Sequence, residues 1–460
     1  MSVVARDFIQ FVNNSPSPFH AVATCVKWLK NDGFVQLKES EDWSKQDLKA
    51  GGKYFFTRNF STLVCFAVGE KYEAGNGFNI LGAHTDSPCL KVKPHSKITK
   101  EGYLELGVQT YGGGLWHTWF DRDLALAGRV IVHAANGKFE QKLVFLNRPI
   151  ARIPTLAIHL DRGVREKFSF NTETQLLPVI ATVVKGVLEN ESESDHHPIL
   201  LKALAEELKC KVTDIRDFEL CLCDAQPATL GGLQKEFIFS PRLDNLMSCW
   251  VGLQSLLKSL PTLETESRVR LAVFFDNEEV GSQSMMGADS TLLNTIIDRI
   301  DESFGPKNAN NAAPVNLSEM TRRNSFIISA DMAHACHPNY ASKHESNHRP
   351  QMHQGWVIKV NANQRYATTA VGAFLIKELA KRRNIPVQEF VVRNDSPCGS
   401  TIGPMSAAHT GIRTLDIGGP QLSMHSIREM CATSDCDHAV NLFEAFWNQF
   451  TELDKELPDE

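Results

Sequence analysis

The stretch LAVFFDNEEVGS, Leu271 to Ser282, decides how this chain is read. Five apolar residues, Leu271 to Phe275, run directly into Asp276-Asn277-Glu278-Glu279 and then Gly281. A short all-apolar run ended by polar residues and glycine predicts a strand buried on both faces, as in the middle of a parallel sheet. Carboxylates at the end of such a strand are costly to desolvate unless a cation balances them. In open α/β sheets the ligand site lies beyond the carboxyl ends of the strands, which is where these acids fall.

Other apolar runs end the same way. Phe78 to Leu81 leads into Gly82-Ala83-His84-Thr85-Asp86, Phe326 to Ala330 into Asp331-Met332-Ala333-His334, and Ile412 to Ile417 into a loop ending at His425. Ser426 to Glu429 fits S-x-x-E, which predicts a capping box and a helix start just after His425. Asp244, in Ser240-Pro-Arg-Leu-Asp-Asn-Leu246, is expected in the first turn of a helix carrying Leu246, Trp250, Leu253, Leu256 and Leu257. Two imidazoles and several carboxylates make a mixed nitrogen and oxygen donor set without thiolate. That set suits zinc, with manganese or cobalt as alternatives, and holds more ligands than one tetrahedral zinc requires. Two ions sharing one carboxylate would use it fully, with one acid left to move protons. Spacing does not say which acid does what.

The rest of the chain frames this site. Its 460 residues admit two large domains or roughly three smaller ones. A net charge of -6 without basic blocks argues against nucleic acid or a membrane surface as partner. No apolar run is long enough to span a bilayer, and no secretory leader is visible. Eleven scattered cysteines fit reduced thiols and a cytoplasmic setting.

Helical spacing flanks Ser15-Pro-Ser-Pro-Phe-His20, and strands are expected at 54–56 and 62–68. From about Pro94 to Gly232 the pattern alternates, as in Leu104 to Gln109, so half-exposed strands are expected there. This predicts a catalytic domain of residues 1–93 and 233–460, interrupted by a mostly β domain of residues 94–232 that serves as oligomer interface or lid. The polar stretch Asp301 to Arg323 reads as a surface loop. On composition, His159 and Lys359 read as a packing histidine and a solvent-facing lysine.

GAHTDSP, YGGGLW, TWFDRDLALAGRV, SPRLDNL, DNEEVGS, SADMAHA, HRP, NDSPCG, TIGP and QLSMHSIREM together resemble the M18 metallopeptidase family. The resemblance runs through nearly the whole chain. It implies a mixed, mostly parallel α/β sheet flanked by helices, and two Zn2+ per subunit. Asp244 would bridge them, one ion taking His84 and Asp331 and the other Glu279 and His425. Glu278 would be the general base, and Asp86 would hold the His84 imidazole. Substrate contacts would fall on His159, His334, Lys359 and Tyr366, together with Glu278 and Asp331. Such a lysine would favour peptides with an acidic first residue through a charge-assisted hydrogen bond. The expected activity is therefore removal of N-terminal Asp or Glu by metal-activated water. The alternatives are a neutral-residue aminopeptidase of the same family and a catalytically silent peptide-binding scaffold. A homo-oligomer, a dodecamer built from dimers, is also implied, in which His159 would reach a neighbour's site.

Overall fold

Four mostly buried strands lie side by side and parallel: Val269–Phe275, Phe78–His84, Phe326–Ala330 and Arg413–Gly418. A computed structural model describes residues 3–186, 194–305 and 316–457. Every residue of the first three strands is buried, which is why their sequences show no alternation. Their register aligns the carboxyl ends. Phe275 sits opposite His84, Ser329 opposite Gly82, and Ala330 opposite Ile417. Five further strands complete a nine-stranded sheet. Thr62–Val68, Lys53–Arg58 and Val35–Gln36 extend one side, and Trp356–Val360 and Val387–Val391 the other.

Side chains alternate between the two faces of this sheet. Leu81, Ala272 and Ile328 point to a core shared with the helices Val3–Asn13, Leu243–Ser259 and Thr433–Lys455. Ile80, Val273 and Ile327 point the other way, onto Leu292, Ile296 and Ile300 of the helix Leu292–Phe304. The sheet is thus covered on both faces, as a mostly parallel sheet must be.

The middle of the chain forms its own six-stranded sheet. Its order is Phe139–Ala151, Leu124–His133, Ile215–Asp224, Cys89–Lys100, Tyr103–Tyr111 and Val179–Thr182, with every pairing antiparallel. Leu106, Val130, Leu146 and Leu220 pack there in a separate apolar cluster. A third sheet joins Thr229–Gly231, Phe237–Ser240, Glu429–Ala432, Pro420–Leu422 and Ala333–His334. It places the segments bearing Asp244, His425 and His334 over the carboxyl edge of the central sheet.

Two local expectations are corrected, and a third holds with an added detail. Ser426 to Glu429 caps no helix: Glu429 begins a strand, and the terminal helix starts at Thr433. The Glu429 carboxylate is instead held by backbone N–H groups from other segments, so its motif match was incidental. His425 therefore lies in a turn between two strands. Asp244 stands within the first turn of its helix, as expected, but with extended backbone (φ −82°, ψ 106°). Finally, the stretch 301–323 is helical at both ends, through Phe304 and over Leu317–Arg323, and residues 306–315 lie outside the described residues. Most of the acidic run 189–195 lies outside them as well.

Candidate active site

His84 is the last residue of its strand and Asp331 the first after its own, so the parallel register sets them side by side. His84 Nε2 is 3.6 Å from Asp331 Oδ1, 3.4 Å from Asp244 Oδ1 and 3.8 Å from Glu278 Oε2. His425 Nε2 is 3.4 Å from the other Asp244 oxygen, Oδ2, and 3.4 Å from Glu279 Oε2. Asp244 thus offers one oxygen to each histidine. His84 with Glu278 and Asp331, and His84 with Asp244 and Glu279, form two groups whose donor atoms all lie within 4.8 Å of one another.

Close backbone approach makes this geometry. A side chain at Gly418 would put its Cβ 1.6 Å from the Asp331 carbonyl, so only glycine lets that strand end pass beneath Asp331. Left-handed backbone at Asn277 (φ 63°), Ser282 (φ 61°), Ser423 (φ 62°) and His425 (φ 66°) turns both loops back on the cluster. Each such residue costs about 1–3 kcal/mol, and surrounding hydrogen bonds hold it. Glu429 is the hub of that support. Its oxygens accept from the backbone N–H of Asp244 (3.2 Å), that of His425 (3.0 Å) and Gln421 Nε2 (3.1 Å).

The charges are not balanced from within. Asp86, Asp244, Glu278, Glu279 and Asp331 surround the two imidazoles. Two like charges 4 Å apart repel by about 4 kcal/mol at an effective dielectric of about 20. Burial, and then the neighbouring Asp331, Asp86 and Asp244 outweighing His84, push Glu278 up to about 8, and burial with Asp244 lifts Glu279 well above its usual range. Burial opposes charge on His425, but hydrogen bonding to Asp244 and the Glu279 charge raise it to about 10. Asp244 stays ionised despite its burial because both histidines hold it.

A metal fits this arrangement on an independent observation. Asp244 Oδ1, Glu279 Oε1 and Asp331 Oδ1 are buried without a hydrogen-bond partner. Orphaned buried carboxylate oxygens are costly, and coordination to a cation satisfies them.

Asp86 does more than orient His84. The His84 Nδ1 bonds the Asp86 backbone carbonyl at 3.1 Å, with the carboxylate 3.4 Å away. That carboxylate also accepts from the N–H of Glu278 (3.2 Å) and of Glu279 (3.1 Å), and from the Tyr111 hydroxyl (2.7 Å).

Lys359 is buried rather than solvent-facing, with Nζ 3.1 Å from the Met332 carbonyl and 3.7 Å from Asp331 Oδ2. Its ammonium lies 5.1 Å from the centre of the Tyr366 ring. His334 lies three residues beyond Asp331, in the short strand Ala333–His334 and against Phe390, and desolvation of its ring together with the Lys359 charge pushes its pKa down to about 4. His159 is not brought to the cluster. It is exposed in the Ala157–Leu160 turn. Glu429 and Tyr111 were missed as site residues, since one passes for a helix cap and the other for an ordinary strand tyrosine.

Residues 11–447 match the family described as aminopeptidase I zinc metalloprotease (M18). The chain belongs to the M18 family. It is an enzyme of that aminopeptidase class, and its mixed α/β fold is the one found in M18 structures. A probable aspartyl aminopeptidase of Ricinus communis is 52% identical, over 99% of this chain and 97% of its own length. The aspartyl aminopeptidase of Dictyostelium discoideum is 50% identical, over 98% and 97%. Among solved structures, Ape4 in complex with Nbr1 superposes with a TM-score of 0.95 at 48% identity, covering 99% of this chain and 88% of that one. The S. cerevisiae mApe1 dodecamer gives 0.87 at 30% identity, over 99% and 98%. No helix of the described residues is long and apolar enough to cross a membrane.

Proposed function

We propose that this M18 enzyme removes N-terminal aspartate or glutamate from peptides at a centre that holds two zinc ions. The observation that carries the two-ion reading is Asp244, which turns one oxygen to His84 and the other to His425 while Glu279 and Asp331 keep unpartnered oxygens beside it. His84, Asp331 and Asp244 would hold one ion, and His425, Glu279 and Asp244 the other. Manganese or cobalt would suit the same donors. When bound, such ions lower the pKa of a water from about 15.7 to about 7 and polarise a carbonyl.

Glu278 is the acid left to move protons. Its side chain is 13% exposed against 4% for its neighbour Glu279, so of the two adjacent glutamates it is the more open to solvent. With the ions in place, Glu278 would be the carboxylate left to take a proton from water and return it to the leaving amine. Lys359, backed by Tyr366 and beside His334, offers the positive charge that an acidic first side chain needs. Relatives that are 48–52% identical carry aspartyl aminopeptidase names, whereas the Ape1 structures stand at 30–36%.

We assign residues 1–93 and 233–460 to a catalytic domain and 94–232 to an inserted domain for assembly or access. The assembly would be a dodecamer, as the S. cerevisiae mApe1 structure is, and here we take it to be built from dimers. Exposed Leu156 and Leu160 beside His159 give a neighbour's surface something to cover, which would carry His159 to an adjoining site. Eleven free cysteines support a cytoplasmic setting.

The test compares release of Asp, Glu and Leu from otherwise identical amides by the zinc-loaded enzyme. Acidic residues should be cleaved at least tenfold faster, and preference for Leu would overturn the assignment. Glu278→Gln should lose roughly two to four decades of kcat while binding metal normally.

A further inference from the structure

The end of the strand Tyr103–Tyr111 reaches out of the six-stranded sheet and touches the candidate metal cluster at three places. The Tyr111 hydroxyl donates to Asp86 Oδ2 at 2.7 Å and accepts from Asn277 Nδ2 at 3.0 Å. Gly112 packs so close to Glu279 that an added Cβ would lie 3.1 Å from the Glu279 Cβ, on backbone with φ +76°. The Gly113 carbonyl accepts from His425 Nδ1 at 3.0 Å, and the Leu115 N–H donates to the His425 carbonyl at 2.9 Å.

Tyr111 is itself fixed from behind. Lys91 Nζ lies 3.9 Å from its ring centre, and the hydroxyl has both its donor and its acceptor committed. The two groups it joins sit on either side of one turn. Asn277 is the left-handed residue that opens the turn, and its Oδ1 accepts from Ser284 Oγ at 2.8 Å. Asp86 accepts from the N–H groups of Glu278 and Glu279 within that turn and faces His84 Nδ1.

We infer that Tyr111 is a positioning residue for the metal centre, its hydroxyl fixing the Asp86 carboxylate that sets both the His84 imidazole and the Glu278–Glu279 turn. Without that hydroxyl, Asn277 Nδ2 loses its partner, and Asp86 keeps the Glu278 and Glu279 N–H groups but is freed of its one side-chain anchor on Oδ2. A freed Asp86 leaves His84 less firmly oriented and the two glutamates less firmly anchored. Hydrogen-bond partners of metal ligands typically contribute about 10–100-fold in affinity or activity. The six-stranded sheet thereby stiffens a site whose donor side chains come mainly from the central sheet's edge. This inference rests on the metal-dependent function proposed above.

The test is Tyr111→Phe in the full chain, with Asp86→Asn and the double variant alongside. Titration with Zn2+ or Co2+ alone should show affinity about 10–100-fold weaker than in the unaltered protein, and the visible Co2+ spectrum should shift. At saturating metal, kcat should fall about tenfold or more, with KM changed less than about twofold and thermal melting nearly unchanged. Tyr111→Phe should add less than about threefold to the effect of Asp86→Asn, since both act through one carboxylate. Metal affinity and kcat within twofold of the unaltered protein would overturn the inference, and so would full multiplication of the two single effects. The metal titration uses no substrate. If the unaltered protein failed to release acidic residues, the proposed function would fall while this result stayed readable.

Discussion

The same parallel strands carry a cluster of buried charge at each end, and the two clusters are built on opposite terms. At the amino edge, Arg268 Nη2 lies 2.7 Å from Asp454 Oδ2, Arg413 Nη2 lies 2.7 Å from the same oxygen, and Arg270 Nη2 lies 3.1 Å from Glu266 Oε2. Thr451 and Asn79 satisfy further donors and acceptors. Both acids are met by guanidinium there, three arginines to two carboxylates, and of the cluster's side chains only Arg413 Nε is buried without a partner among the described residues. At the carboxyl edge, Asp86, Asp244, Glu278, Glu279 and Asp331 meet His84 and His425 with the Lys359 ammonium near Asp331, and three of these carboxylate oxygens have no hydrogen-bond partner among the described residues. A cluster in which every acid is met by a guanidinium holds a fold together. One whose acids go unmet is waiting for something charged from outside, and the distances around Asp244 say where it would sit.

The largest effect expected from breaking this contrast is on stability, at the amino edge. Asp454→Ala leaves Arg268 buried without its acid, and should cost about 3–5 kcal/mol in urea unfolding while activity per folded molecule is kept. Burial works against the Asp454 charge, but the Arg413 hydrogen bond and the Arg268 charge hold its pKa below the ordinary value. Its contribution is therefore complete above the unfolded-state pKa of about 3.9 and lost as pH falls through the lower folded value. Unfolding curves measured from pH 5 to pH 2 should show Asp454→Ala converging on the unaltered protein. A constant gap would contradict the pairing.

The next effect concerns the carboxyl edge alone. Lys359→Met removes the cation beside Asp331 and should cut the Asp-over-Leu preference in kcat/KM by about 10–100-fold, the usual worth of a hydrogen bond to a charged group. Unchanged selectivity would place the source of acidic preference elsewhere.

Much of this was legible in the sequence. The all-apolar runs at Phe78, Leu271 and Phe326 marked the central parallel strands because burial on both faces removes alternation. The acids and histidine following them pointed to a site because several strands end alike, whereas any one such end alone would pass for a polar surface turn. What stayed hidden depends on contacts between distant segments. The spacing from Ser426 to Glu429 fits a helix cap, yet Glu429 is buried among the N–H groups of Asp244 and His425. Asp244 looked like a first-turn acid, and only its extended backbone turns the carboxylate between two histidines. Lys359 alternates as a solvent-facing residue would, but the strand Val387–Val391 continues the sheet beyond it and the lysine ends up buried. Tyr111 carries no signal at all, since a tyrosine closing an alternating strand is ordinary until its hydroxyl is seen on Asp86.

The measurement that bears most directly on the unbalanced edge is anomalous X-ray scattering from crystals grown with zinc, backed by counting metal per chain in solution. Two ions per chain are expected, one among His84, Asp331 and Asp244 and the other among His425, Glu279 and Asp244, with Asp244 touching both. A single ion, or two ions neither of which contacts Asp244, would contradict the account.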